Sequence, residues 1–199
     1  MKKINKKGFT LIEMLVVLAI FSTFVILAAD LFLTINRVQR ETRTSERILS
    51  ESRYILETIA RDVRSGRIDY KAYGNPVDPA DAIVNPADEL FYISRINERI
   101  RIKKDTTFCP SSLSSPCVLI SRDDGATWAS MTPLGVKVND LKFVIQPEQD
   151  PFYFDGVTWL SDEQPMLTII ITLAATSEIS KKEFEIHNQT SVSVRRYGR

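Results

Sequence analysis

The chain has 199 residues, enough for one modest domain besides any terminal segment. Its charges almost balance, with 26 lysines and arginines against 25 aspartates and glutamates, which argues against a protein that binds nucleic acid through a broadly basic surface. Four lysines lie within the first eight residues, so 22 basic and 25 acidic residues remain from Phe9 onward. The excess of positive charge is therefore confined to the N-terminus.

An apolar run of 25 residues follows the lysines, at positions 9–33, and only Glu13 and Asp30 in it are charged. As a helix with a rise of about 1.5 Å per residue it would be about 37 Å long, enough to cross a bilayer core of about 30 Å. The lysines would hold the N-terminus in the cytoplasm. We therefore expect a single span in the cytoplasmic membrane and a periplasmic or extracellular C-terminal domain.

Three interpretations of this N-terminus compete: a cleaved secretory signal, a plain membrane anchor and a prepilin-type leader. A secretory signal has an apolar region of about 7–15 residues and a small-residue cleavage site. Here the run is longer, Glu13 interrupts it, and Leu27-Ala28-Ala29 is a poor cleavage site. A plain anchor leaves Glu13 unexplained unless the side chain is protonated or reaches the interface, since an unpaired charge at the bilayer centre costs about 2.5–3.5 kcal/mol or more.

The stretch KKGFTLIE, residues 6–13, resembles the processing site of type IV pilins and of the pseudopilins of type II secretion. The resemblance implies that prepilin peptidase cuts between Gly8 and Phe9 and methylates the new amine of Phe9. Residues 9 and 13 stand one helical turn apart, so that ammonium group and the Glu13 carboxylate can neutralise each other. In the family, this pairing is mainly between neighbouring subunits and helps to draw a new subunit into the filament.

The helical pattern continues beyond the membrane segment, with apolar residues at spacings of three, four and seven. The first stop signal is Ser65-Gly66, so we expect a single helix over residues 9–65, about 85 Å long. Its turns over residues 48–63 should pack on the globular domain. Residues 45–68 look like the second half of the N-terminal helix in J-type minor pseudopilins and W-type minor pilins.

The composition changes after the helix, where two glycines and three prolines at positions 66–88 predict a connecting loop. Short apolar or alternating runs beyond it predict strands. The predicted strands are residues 90–96, 100–104, 118–122, 136–138, 141–146, 152–154, 166–174, 182–187 and 191–195. Asp124-Gly125 predicts a hairpin turn.

The predicted fold class is therefore α+β, with a long N-terminal helix packed on an antiparallel β-sheet. The resemblance to pilins implies the same arrangement, in the form of a lollipop. The predicted division of the chain is a cleaved leader at 1–8, the transmembrane and assembly part of the helix at 9–33, its periplasmic amphipathic half at 34–66, a connecting loop at 67–88 and a β-rich globular domain at 89–199.

The two cysteines, Cys109 and Cys117, bracket the segment CPSSLSSPC. Outside the cytoplasm, so close a pair in a loop rich in proline and serine predicts a disulfide. The spacing is not that of a C-x-x-C redox motif, and no histidine lies nearby to complete a metal site. We predict that the bridge staples the loop locally, with a contribution of about 2–3 kcal/mol to stability.

Residue types typical of enzymes are scarce. His187 is the single histidine, which excludes a histidine-based metal cluster and an H-E-x-x-H motif, and the sequence has no glycine-rich phosphate loop. Asp123 and Asp124 before Gly125 raise the possibility of calcium, because some pseudopilins bind it, but the EF-hand spacing is absent and a turn is favoured. We expect no enzymatic activity, no catalytic residue and no cofactor, with calcium as the one candidate.

The sequence thus predicts a minor pilin or pseudopilin subunit that works by assembly near the tip of a short filament. The implied partners are prepilin peptidase, other pilin or pseudopilin subunits and the inner-membrane assembly platform. A secreted substrate, an adhesin or DNA is a further candidate partner of the β-rich domain. The alternative is a single-pass, membrane-anchored binding or sensor domain that does not polymerise.

Overall fold

A computed structural model describes residues 10–74, 82–110, 116–154, 156–158, 160–161, 163–177 and 181–195. The chain divides into two compact units, Met1–Arg43 and Thr44–Arg199. Helix α1, Leu11–Ser65, contributes residues to both units, and each strand in the described ranges belongs to the second unit.

The first unit consists, where it is described, of the N-terminal part of α1. Residues 11–43 include neither glycine nor proline, so nothing in this part of the sequence interrupts the backbone hydrogen bonds of the helix. Within the described residues, α1 is the one helix long and apolar enough to cross a membrane. This part of the chain is therefore a candidate transmembrane helix, as the sequence predicts.

The second unit contains the C-terminal part of α1, whose buried face follows the predicted spacing. The buried residues of the helix are Ile48, Ser52, Ile55, Leu56, Ile59, Ala60 and Val63. The helix ends where Gly66 comes close to the backbone of a strand: a Cβ on Gly66 would lie 2.4 Å from the carbonyl oxygen of Ile93. The predicted stop at Ser65-Gly66 is confirmed, and this close approach is the physical reason for a glycine at position 66.

Five antiparallel strands form sheet A in the order β1-β2-β3-β4-β5. They are β1 (Arg67–Ile68), β2 (Glu89–Ile93), β3 (Arg99–Asp105), β4 (Cys117–Ser121) and β5 (Ala129–Ser130). The segment predicted as a connecting loop includes β1 and a 3-10 turn at Tyr70–Ala72. The β4–β5 hairpin has Asp124 and Gly125 at its turn, both with positive φ, which confirms that prediction.

Three antiparallel strands form sheet B, with β7 in the centre. They are β6 (Lys137–Gln146), β7 (Met166–Thr176) and β8 (Glu183–Ser193). The segments predicted separately at 136–138 and 141–146 are one strand, because a register shift between Val138 and Asp140 breaks its alternation. The segments predicted at 182–187 and 191–195 likewise form one strand, β8.

The strand predicted at residues 152–154 is wrong. The Asp150 carboxylate accepts a hydrogen bond from the Phe152 amide at 3.0 Å, and the Asp150 carbonyl accepts one from the Tyr153 amide at 3.1 Å. These bonds close a turn over residues 150–153, so the segment forms no strand.

The buried face of α1 in the second unit shares one hydrophobic core with both sheets. Ile55 and Ile59 of the helix, Phe143 of β6, and Ile169 and Ile171 of β7 are all at most 1 % exposed. Each side chain of this size contributes about 1.5–3 kcal/mol when it is fully buried. The predicted α+β class is therefore confirmed, with the antiparallel strands divided between two sheets.

Candidate functional site

The first turn of α1 is the part of the candidate assembly site that the structure describes. The Thr10 amide donates to Glu13 Oε2 at 3.3 Å, and the Glu13 amide donates to Thr10 Oγ1 at 3.3 Å. This reciprocal pair is a capping box, in which a threonine at the N-cap and a glutamate three residues later satisfy two backbone donors. Gly8 and Phe9, the predicted cleavage pair, lie outside the described residues.

The capping box gives Glu13 a role within its own helix that the sequence analysis missed. The signal was present as Thr10-Leu11-Ile12-Glu13, the T-x-x-E pattern of a helix start. The helix dipole adds to the effect, because a negative charge in the first turn faces the positive end of the helix. An acid at this position therefore stabilises the start of the helix whether or not the chain is cleaved.

The helix surface after this turn is largely apolar and exposed. All side chains of residues 10–35 are exposed, including the phenylalanines at 21, 24 and 32. Two hydroxyl groups within it bond to their own helix: Ser22 Oγ donates to the Leu18 carbonyl and Thr23 Oγ1 to the Ile20 carbonyl, each at 2.7 Å. Such bonds satisfy hydroxyl groups where water is absent, so this surface suits lipid or neighbouring helices.

Cys109 and Cys117 form a disulfide, with their Cα atoms 5.9 Å apart, as their spacing predicts. Cys117 is the first residue of β4 and is fully buried. Beside it, Lys103 Nζ lies 2.8 Å from Asp105 Oδ2, and the Thr107 and Phe108 amides also donate to the Asp105 carboxylate. Lys103 first, and then these amides, lower the pKa of Asp105 to about 2. The acid orders the turn that follows β3, and the bridge ties that turn to the start of β4.

Asp123 is held by donors of the β4–β5 turn. Thr127 donates to it from both its hydroxyl and its amide, and Ser121 Oγ donates to Oδ1 at 2.7 Å. These hydrogen bonds lower the pKa of Asp123 to about 2. The side chain therefore organises the turn, which is the interpretation that the sequence favours over calcium.

The remaining chemistry-bearing residues do not converge. His187 lies on β8, where its Nδ1 is 2.9 Å from Thr172 Oγ1 on the neighbouring strand. Over the described ranges, no three His, Cys, Asp or Glu side chains are grouped so that they could hold a metal ion. The absence of catalytic residues and of cofactors stays a prediction.

The family model of the prokaryotic N-terminal methylation motif matches residues 3–29. The match includes the basic leader, the Gly8–Phe9 bond, Glu13 and most of the apolar run. No curated protein and no solved structure matches the chain. The motif and the α+β architecture together support a type IV pilin-like protein.

Proposed function

Because the motif supports a type IV pilin-like protein, we propose a more specific role. In this proposal the chain is a minor pilin or pseudopilin subunit that assembles into a type II secretion pseudopilus or a type IV pilus. The observation that carries the proposal is the methylation motif at residues 3–29, which continues directly into an apolar helix with a bare surface. Such a helix needs lipid before assembly and neighbouring helices after it.

In this proposal, prepilin peptidase cuts between Gly8 and Phe9 and N-methylates Phe9. Among the described residues, Glu13 has no ion-pair partner. The new ammonium group would provide one. Pairing is favoured in a medium without water, because either charge left unpaired there is costly. The Glu13 carboxylate of one subunit therefore recruits the Phe9 amine of its neighbour.

The type of subunit is inferred from the second half of α1, residues 45–68, and its likeness to J-type and W-type minor subunits. We place the subunit near the tip of the filament, where a single copy is enough. The domain beyond the helix would then contact other minor subunits and present a surface to a secreted substrate or to DNA. Its membrane partner during assembly is the inner-membrane assembly platform.

A photocrosslinking experiment tests assembly directly. A photoreactive residue replaces Val17, whose side chain is 54 % exposed on the apolar helix surface. We expect adducts with other pilin-like subunits, and we expect them to disappear in a Gly8→Leu variant because a bulky residue precedes the cut. A wild-type chain that forms no adduct with another pilin-like subunit would instead be an anchored binding or sensor domain, which contradicts the proposal.

A further inference from the structure

The two edges of sheet B differ in how their backbone groups are satisfied. At the β6 edge, Ala87 and Phe143 exchange backbone hydrogen bonds of 2.7 and 2.9 Å. The Asn85 side chain also bonds both the carbonyl and the amide of Ile145, at 2.8 and 3.0 Å. The segment before β2 therefore covers the β6 edge.

The other edge is β8, eleven residues that pair with β7 without a register shift. Just after β8, the Val194 amide donates to the Pro165 carbonyl on the β7 side, and the Arg195 amide donates to the Arg64 carbonyl of α1. Because backbone groups alternate along a strand, the odd-numbered residues of β8 direct theirs away from β7. These residues are Glu183, Glu185, His187, Gln189, Ser191 and Ser193.

Part of this edge has no hydrogen-bond partner. The Gln189 amide is occupied by the Asn188 side chain at 2.9 Å. Within the part of the chain that the structure describes, the outward backbone groups of Ser191 and Ser193 are unbonded. The strand also has no proline, lysine or bulge, the features that usually protect an edge from further pairing. The C-terminal half of β8 is therefore open to an added strand.

A groove of about 650 Å³ lies between this edge and α1. One side of it is formed by residues 188–190 of β8 and the other by α1 between Arg53 and Arg64, with Arg61 also in the lining. Leu56 and Ala60 are buried and form an apolar part of the lining, whereas the three arginines are exposed. None of these arginines has an ion-pair partner among the described residues, and Arg195 lines the space next to the groove. With Glu57 as the single acid, the groove is positively charged.

We propose that the edge of β8 binds an extended acidic segment of a partner protein, which adds to sheet B as a fourth strand. Its carboxylates would face Arg53, Arg61 and Arg64, while its backbone pairs with Ser191 and Ser193. From Arg53 to Arg64 the helix rises about 16 Å, the length of about five strand residues. Glu183 and Glu185 lie at the N-terminal end of β8 and would repel an acidic segment. The segment would therefore bind along the C-terminal half of the strand. The inference does not depend on cleavage at Gly8.

The test uses the full-length chain in detergent micelles and ten-residue peptides with a fluorescent label. One peptide alternates threonine and glutamate, and its matched control alternates threonine and lysine. We expect the acidic peptide to bind about tenfold or more tightly than the basic one. Methylation of alternate backbone amides of the acidic peptide should abolish binding, because it removes strand pairing and leaves the charges.

Two protein variants match each other in net charge. Arg61→Glu should weaken binding of the acidic peptide about twofold to fivefold or more, whereas Lys137→Glu, on an exposed residue of β6, should leave it unchanged. Hydrogen exchange should show new protection of the Ser191 and Ser193 amides in the complex.

Three results would overturn the proposal. They are equal binding of the acidic and basic peptides, full binding of the methylated acidic peptide, and tighter binding of a single-stranded oligonucleotide than of the acidic peptide. The last result would assign the arginines to nucleic acid.

Discussion

Thr10 and Glu13 bond to each other reciprocally at the start of α1, each through its backbone amide and the other's side chain, at 3.3 Å. The acid of the processing motif is thus also half of a capping box. A cap needs only a hydrogen-bond acceptor at Glu13, which glutamine supplies as well, whereas a pair with the Phe9 amine needs the negative charge. The two roles can therefore be separated by substitution.

The proposed charge pair predicts opposite results for two substitutions. Glu13→Gln should keep the cap and lose the charge, so assembly should fall as far as in Glu13→Ala while cleavage continues. Thr10→Ala should cost about 1 kcal/mol of helix stability at the first turn and leave assembly close to wild type. The measurement is the yield of crosslinks from position 17. Wild-type yield from Glu13→Gln would show that the acid acts as a cap alone.

The disulfide should stabilise the second unit by restricting the unfolded chain. For a ring closed by Cys109 and Cys117, eight residues apart, we expect reduction to lower the free energy of unfolding by about 2–3 kcal/mol. The measurement compares chemical denaturation of the oxidised and the reduced chain, both in the same detergent. Equal midpoints would contradict a stapling role.

A partly buried hydrogen bond joins α1 to β8. Ser52 is 0 % exposed, and its Oγ accepts a hydrogen bond from Asn188 Nδ2 at 3.1 Å. Ser52→Ala should lower the free energy of unfolding by about 0.5–1.5 kcal/mol, because the hydrogen bond from the half-buried Asn188 amide is lost. The control is Ser50→Ala, an exposed residue whose Oγ donates to the Arg47 carbonyl, for which we expect a change within about 0.5 kcal/mol. Denaturation midpoints that fall equally in both variants would contradict the assignment.

The Lys103–Asp105 pair predicts a loss of stability in acid. The folded pKa of Asp105 is about 2, below the usual 3.8, so its contribution is present above pH 4 and disappears as the pH falls from 4 to 2. Asp105→Asn should flatten the curve of unfolding free energy against pH in this window. Lys103→Met should flatten it in part, because the Thr107 and Phe108 amides still bond the carboxylate. An unchanged slope in Asp105→Asn would rule out this group as the source.

The sequence predicted the helix and the central strands well because their burial follows a simple period. The spacing of Ile48, Ile55, Ile59 and Val63 places them on one helix face, and all four are buried. The predicted strand at 166–174 lies within β7, where Leu167, Ile169, Ile171 and Leu173 recur at every second residue and are all 0 % exposed.

The prediction failed where tertiary contacts decide the structure. Asn188 interrupts the apolar alternation of β8, because its side chain bonds Ser52, 136 residues earlier in the chain. The bulge between Val138 and Asp140 divides the pattern of β6 in the same way. β1 and β5 have two residues each, too few to show any period.

The candidate site was predicted through its charge, and its local geometry was missed. Lys6, Lys7 and Glu13 stand out in the sequence because they flank or interrupt an apolar run. Thr10 drew no attention, since a single threonine at the start of such a run is common, yet it supplies one half of the capping box and Glu13 supplies the other. The groove beside β8 could not be predicted, because its arginines belong to α1 and its open edge to the last strand.

Mass spectrometry of the mature N-terminus tests the central claim most directly. The chain is purified from the membrane of its own cells, and its N-terminal peptide is sequenced. The account predicts a chain that begins at Phe9 with one additional methyl group on the α-amine, and the same terminus in Glu13→Gln. A chain that retains Met1, or one that begins at Asp30 after a secretory cleavage, would contradict it.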